Sequence, residues 1–244
     1  MKTADRHKRL FLWSGPRNIS TTLMYSFAQR KDTRVYDEPL YGYYLKNTDA
    51  DEYHPDAPLV MESMECEGQK VVEMMLGGHD RPVVFFKNMT HHLLDLDRSF
   101  LRFGINIILT RDPREMLPSF HKVIPNPKMK DVGYQAHLDL IDHCLENQIV
   151  FIVIESSRIL KDPEKGLKDL CEKAGIEFDP AMLSWPRGPR PEDGVWAKHW
   201  YASIHDSTGF KPYQPKNEAF PEELEPLLGE CLPIYEKIMK YGQV

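Results

Sequence analysis

The chain has 244 residues, with 31 Lys and Arg against 37 Asp and Glu, so its formal charge is −6. That balance argues against a protein built to grip nucleic acid, and 41% hydrophobic with 28% charged residues describes an ordinary globule rather than a disordered chain. No apolar run nears the roughly 20 residues of a membrane span, and Leu10–Trp13 is too brief for a signal-peptide core. Four scattered cysteines (Cys66, Cys144, Cys171, Cys231) show no CxxC spacing, which excludes a zinc ribbon and a dense disulfide framework. The reading is a cytoplasmic protein with reduced thiols and no membrane partner.

Leu10–Trp13 is the first expected strand, and Thr21–Arg30 after it has helical pattern. Arg34–Tyr36 is a shorter strand candidate, ending in Asp37-Glu38-Pro39. Residues 41–60, rich in Tyr, Asp and Pro, read as an irregular lid. Helical pattern follows over Glu65–Leu76, then strands over Val83–Phe86 and Ile105–Leu109, the second interrupted by Asn106. Asp131–Asn147 reads as a helix, Ile149–Ile154 as a strand and Pro163–Ala174 as a helix. Asp162 and Pro163 open that last helix, and Gly175 closes it as a C′ residue. None of the four longer runs alternates apolar with polar, so each is expected to be buried on both faces, as parallel strands are. Residues 179–216 hold six prolines among Trp185, Trp196, Trp200 and Tyr201. That density forbids a long helix, and the aromatics demand packing, so the segment reads as a second lid lying over the sheet. A terminal helix is expected from about Glu222 to Tyr241. The alternation implies an α/β fold of right-handed βαβ units in a single domain over residues 1–244.

Two segments carry chemistry. The first strand runs into Ser14-Gly15-Pro16-Arg17-Asn18-Ile19-Ser20-Thr21-Thr22, a small-residue turn opening a helix rich in hydroxyls. Free helix N-terminal amides, hydroxyls and one cation, Arg17, form the elements of an anion cradle. It is no Walker A loop, because that would place Gly at Ser20 and Lys at Thr21. The second segment is Thr110-Arg111-Asp112-Pro113-Arg114, where Asp112 and Pro113 begin a helix as N-cap and N1. Ser119 lies about 700° of helical rotation beyond Asp112, near the same face, so Arg111 and Ser119 can reach one ligand. Pro118 is expected to kink that helix.

Together these segments resemble the sulfotransferases that use 3′-phosphoadenosine 5′-phosphosulfate (PAPS). In that family a loop of the type P-[RK]-S-G-[ST]-[ST] holds the 5′-phosphosulfate, and Pro16-Arg17-Asn18-Ile19-Ser20-Thr21 stands in its place here. A strand ending in R-D-P-R, with Ser eight residues after the first Arg, holds the 3′-phosphate; Arg111 and Ser119 match. A third match runs through Ile154-Glu155-Ser156-Ser157, Lys161-Asp162-Pro163 and Ala174-Gly175-Ile176. The resemblance spans Leu10 to about Leu183 in the family's order. It implies a three-layer P-loop-type fold with a central parallel sheet of about five strands flanked by helices. It implies PAPS as donor, bound by Arg17, Asn18, Ile19, Ser20, Thr21, Thr22, Arg111 and Ser119, with PAP as product and no metal. Ile19 replaces the family's Gly, and its Cβ disfavours left-handed backbone at that position. The family's C-terminal Arg-Lys-Gly motif has no clear equivalent; Gly194–Tyr201 and Ser207–Phe210 occupy that end of the chain.

On the acceptor side, Glu38 in Asp37-Glu38-Pro39-Leu40 is similar to the E-P-L element of the carbohydrate sulfotransferases, whose Glu lies near the acceptor hydroxyl. Lys87 matches the Lys of the K-T-H segment of the small-molecule enzymes, which sits on the bridging oxygen. That segment's His, the base, falls on Met89, leaving His91 or His92 to substitute. The resemblance thus implies a sulfuryl transfer from PAPS to a hydroxyl or amine of a small-molecule or carbohydrate acceptor. Arg17 and Lys87 would stabilise charge, and Glu38, His91 or His92 would be the base. Two readings compete: an ATP-dependent kinase of the P-loop class, which calls for a loop lysine and a Mg-binding Asp, and a non-catalytic nucleotide-binding protein.

Overall fold

The apolar runs pair side by side as one parallel sheet in the computed structural model, which describes residues 7–214 and 219–242. Its strands are β1 (Lys8–Ser14), β2 (Thr33–Asp37), β3 (Val83–Met89), β4 (Ile105–Thr110) and β5 (Phe151–Glu155), in the order β2-β3-β1-β4-β5. Successive side chains enter opposite cores. Leu10 and Leu12 of β1 join one apolar cluster, Phe11 and Trp13 the other, and all four are fully buried. Phe85 and Phe86 divide in the same way, as do Ile107 and Ile108. Both sheet faces are therefore covered, which explains why the strand sequences are continuously apolar.

The covering helices follow in chain order. Helices α1 (Ser20–Phe27), α2 (Tyr41–Lys46) and α3 (Ala57–Ser63) pack on one face, and α4 (Gly68–Leu76) on the other. Between β4 and β5 come α5 (Pro113–His121), α6 (Met129–Val132) and α7 (Tyr134–Glu146). After β5 come α8 (Ser156–Lys161), α9 (Pro163–Ala174), two single turns α10 (Ala197–Trp200) and α11 (Ala202–His205), and finally α12 (Glu225–Met239). Asp112 and Asp162 cap α5 and α9 by accepting the Arg114 and Lys165 amides, at 2.8 and 3.0 Å. Gly175 ends α9 at φ 64, the left-handed conformation that glycine tolerates.

Several expectations need correction. Residues 41–60 are mostly helical: Tyr41, Tyr44 and Leu45 fall at i, i+3 and i+4 and are buried, so α2 gains packing that outweighs the local turn signals. The predicted helix over 131–147 is two, broken at Gly133 with φ 80. Helix α1 stops at Phe27 and α4 begins only at Gly68. Pro118, the expected kink, lies inside α5, which runs to His121. The proline-rich segment is packed as expected: Trp185 donates to Ser207 Oγ at 3.1 Å, Ser26 donates to the Met182 carbonyl at 2.7 Å, and Trp185, Trp196 and Tyr201 are buried. Its last expected residues, Pro215 and Lys216, lie outside the described residues, as do 1–6 and 243–244 of the expected domain.

Buried polar groups in the layers are mostly satisfied. Arg9 caps the C-terminal end of α4 by donating to the Met75, Leu76 and Gly77 carbonyls at 2.6–2.9 Å. Asn106, which interrupts the β4 run, accepts the Trp13 indole N–H at 3.0 Å and donates to the Leu101 and Val150 carbonyls. His137 on α7 is one of the exceptions. It is fully buried, and neither ring nitrogen has a hydrogen-bond partner among the described residues.

Burial, with the nearby His91 adding to it, pulls the His137 pKa down to about 3. In the unfolded chain the ring titrates near 6.5, so below that pH the unfolded state takes up a proton that the native state does not. Stability from this group is complete above pH 6.5 and falls as pH drops towards 3; at pH 5 the loss is about 2 kcal/mol. Urea denaturation at pH 7 and pH 5 should show a steeper loss for the wild type than for His137→Leu. Equal losses would mean that His137 is not the acid-sensitive group.

Candidate active site

The carboxyl ends of the strands open on a cleft of about 430 Å³, where open α/β sheets collect ligands. One end is built by the loop from β1 to α1. Gly15 is held there by close approach, since a Cβ would lie 2.8 Å from the Val132 carbonyl oxygen. Arg17 and Ile19 both take left-handed backbone, at φ 58 and 63. The Ile19 Cβ was expected to disfavour that conformation, yet the loop adopts it, at a cost of about 1–2 kcal/mol. The Ile19 side chain packs against the apolar core in return.

That trace leaves α1 uncapped. Ile19 makes no side-chain cap, and the Leu23 N–H donates the helix's opening backbone bond to the Ile19 carbonyl at 3.0 Å, so the amides before it have no partner within the helix. Ser20, Thr21 and Thr22 line the cleft around them. Asn18 also lines it, but its amide donates to the Leu109 carbonyl at 3.1 Å and ties the loop to β4. Arg17 Nε donates to Ser119 Oγ at 3.2 Å, and Arg111 Nη1 to the Arg17 carbonyl at 3.0 Å. The expected trio of Arg17, Arg111 and Ser119 is thus gathered from two loops. Glu115 pairs with Arg111 at 3.1 Å and takes the Tyr213 hydroxyl on its other oxygen. Arg17 has no carboxylate within reach among the described residues. Burial first, and then the Arg111 charge, lower its pKa from the ordinary arginine value. Two guanidiniums facing one carboxylate leave a positive surplus that a bound anion would neutralise.

The other end has the opposite sign. Register places Lys87 of β3 beside Asp37 of β2, and Glu38 follows at φ 45, its amide donating to the Lys87 carbonyl at 2.7 Å. The Lys87 side chain is only 2% exposed. Its Nζ donates to Asp37 Oδ1 at 2.8 Å, to Tyr201 Oη at 2.7 Å and to Glu38 Oε1. Burial alone would lower the Lys87 ammonium, but the two carboxylates hold it well above its ordinary value. Burial pushes the Glu38 carboxyl up, against the pull of Lys87. The Gly194 amide donates to Asp37 Oδ2 at 3.2 Å and the Trp196 indole to Tyr201 Oη at 3.3 Å, closing the aromatic segment onto this carboxylate. That segment therefore anchors the carboxylate end of the cleft, and Lys211–Gln214 also line the cleft.

His91 and His92 sit in a 3₁₀ turn directly after β3 and line the same cleft. His92 stacks between Tyr41 and Tyr44, with ring centroids 5.1 and 4.4 Å away. Burial pulls His91 down to about 3 and holds His92 well below its ordinary value, so both rings are neutral and weakly basic. Every residue expected at the site thus lines one cleft. Sequence reasoning missed Asp37, Tyr201, Glu115 and Tyr213. Asp37 stood beside Glu38 and was legible as a second strand-end carboxylate; nothing local marked the others. Among the described residues, no three His, Cys, Asp or Glu side chains gather at metal-ligand spacing.

Comparison with known proteins agrees with this geometry. Two Arabidopsis thaliana proteins, the branched-chain-amino-acid aminotransferase-like proteins 2 and 1, are 39% and 40% identical over 225 residues, which is 91% of this chain. The chain spans 40% of the length of each. Among solved structures, the sulfotransferase domain of the Synechococcus PCC 7002 olefin synthase superposes with a TM-score of 0.56 at 16% identity, covering 94% of this chain and 97% of that one. A sulfotransferase from Alicyclobacillus acidocaldarius gives 0.55 at 11% identity, covering 98% and 97%. At such identities the likeness is one of fold. The family profile described as "Sulfotransferase domain" matches residues 8–241, nearly the whole chain, and this protein belongs to that family.

Proposed function

We propose that this protein transfers a sulfuryl group from PAPS to a hydroxyl or amine of a small-molecule or carbohydrate acceptor. The observation that carries the reading is the polarity of the cleft: uncapped amides and two arginines at one end, and a carboxylate that lines the cleft, Glu38, at the other. The cationic end fits a doubly phosphorylated nucleotide. Arg111 and Ser119 hold the 3′-phosphate, and Arg17 with the Ser20, Thr21 and Thr22 amides and hydroxyls holds the 5′ group. When bound, the donor supplies an electrophilic sulfur and a phosphate leaving group. Glu38 accepts the proton of the acceptor hydroxyl, whose oxygen forms the new S–O bond as the old one breaks and PAP leaves. Catalysis is then mainly positioning and charge stabilisation. His91 and His92, neutral among tyrosines, shape the acceptor wall and are poor bases. The four cysteines are unpaired, which supports a reducing, cytoplasmic setting, and no helix among the described residues is long and apolar enough to cross a membrane.

Adenosine 3′,5′-bisphosphate should raise the melting temperature by mass action, and Mg-ATP should do so far less because the loop lacks its lysine. Arg111→Ala should reduce affinity for the bisphosphate about ten- to hundredfold, the usual loss of a charge-assisted phosphate contact. Affinity for adenosine 5′-phosphosulfate, which lacks the 3′-phosphate, should barely change. Calorimetric titration of both nucleotides checks this, and equal weakening would make Arg111 structural.

Glu38→Gln should lower kcat by about 10²–10⁴ with bisphosphate binding near normal, because a base acts in the transition state. His91→Ala and His92→Ala should each cost much less. Radiolabelled sulfate transfer from PAPS to acceptors in a cell extract provides the assay. Retention of turnover in Glu38→Gln with loss in His92→Ala would reassign the base.

A further inference from the structure

An ammonium group has three N–H donors. Lys87 directs all three inward, to Asp37 Oδ1 at 2.8 Å, Tyr201 Oη at 2.7 Å and Glu38 Oε1. Tyr201 passes its own proton to Asp37, 2.9 Å from each carboxylate oxygen, and Asp37 Oδ2 also accepts the Gly194 amide. The network is closed: no donor of Lys87 remains for a nucleotide. Drawing the ammonium towards one would unpair two buried carboxylates, a change proteins tolerate poorly. The Glu38 oxygen that Lys87 does not hold, Oε2, has no hydrogen-bond partner among the described residues, and Glu38 lines the cleft.

We propose that Lys87 is a positioning residue that acts through Glu38, locked in place by Asp37 and Tyr201, and does not touch the transferred group. The proposal rests on Glu38 being the base in the reading above. Its physical content is a balance between two neighbours. Lys87 favours the ionised carboxylate of Glu38, and Asp37 opposes it. The other groups facing Glu38 are the hydroxyls of Tyr41 on α2 and Tyr201 ahead of α11; His92, held neutral by burial, feels the Lys87 charge as well. Neither tyrosine is ionised, because burial raises both. Burial raises the proton affinity of Glu38, and one cation and one anion then tune it from opposite sides, so removing one or the other should move it in opposite directions.

The test is a ¹³C NMR titration of the glutamate side-chain carboxyls, with the Glu38 signal assigned by its loss in Glu38→Gln. Asp37→Asn should lower the Glu38 midpoint by about one pH unit or more, and Lys87→Met should raise it by a similar amount. Calorimetry on the same proteins should give Lys87→Met an affinity for adenosine 3′,5′-bisphosphate within about threefold of wild type. Midpoints that stay fixed or move together would overturn the proposal, as would about a tenfold or greater loss of bisphosphate affinity in Lys87→Met. If Lys87→Met does not fold, Asp37→Asn decides alone: a lowered midpoint supports the balance and an unmoved one overturns it. The carboxyl titrations need no nucleotide. A wild-type protein that binds no bisphosphate would therefore sink the donor assignment alone, while the midpoints still decide this proposal.

Discussion

A lysine ammonium buried beneath the mouth of the cleft sets the terms for the rest of the site. Removing such a charge from water costs several kcal/mol, offset only when opposite charges and hydrogen bonds surround it completely. In the sheet, Lys87 stands in register with Asp37 on one side and Leu12 on the other, so one partner is guaranteed by strand pairing alone. The second, Glu38, arrives because the chain leaves β2 through a left-handed turn at φ 45, a conformation that non-glycine residues rarely adopt. The third, Tyr201, comes from 114 residues along the chain and brings Trp196 and the Gly194 amide with it. One desolvated cation thus fastens the late aromatic segment over the early strands and shapes the acceptor end.

The cationic end obeys the reverse logic. Among the described residues its charge is incompletely paired: Arg111 has Glu115, Arg17 has a serine hydroxyl, and α1 begins without a side-chain cap. Left-handed backbone at Arg17 and Ile19 is the conformational cost of presenting those amides together. Strain of this kind persists where packing enforces it, and here the Ile19 side chain and the crowded Gly15 supply that enforcement. The cleft is therefore a dipole, with surplus cation at one end and surplus carboxylate at the other. A field of that kind orients charged ligands before any specific contact is made.

The histidines show how environment overrides residue type. A His-His pair after a strand invites a base or a metal ligand when read by chemistry alone. In the folded protein His92 is sandwiched between Tyr41 and Tyr44, and His91 lies close to buried His137. Burial keeps these rings neutral, which removes them as effective bases and makes them polar-edged packing elements instead.

Much of the architecture was legible because its causes are local or periodic. Runs of β-branched and aromatic residues mark strands buried on two faces, Asp before Pro marks helix starts at 112 and 162, and Gly175 marks a helix end. The spacing from Arg111 to Ser119 depends only on helical pitch, so their convergence on one cleft could be read from the chain, and the helix continues past Pro118 as that requires. What the tertiary structure decided is everything that depends on burial or on distant partners. Helices over 41–63 form because Tyr41, Tyr44 and Leu45 find a core to enter, which no local propensity records. Ile19 takes a glycine's conformation because its surroundings over-determine the turn. Tyr213 meets Glu115, and Tyr201 meets Lys87, across about a hundred residues, contacts that exist only once the sheet has placed its strand ends together. Proton affinities belong to the same class: Glu38 and His92 were named from their chemistry, but their opposite shifts come from the low-dielectric packing around them.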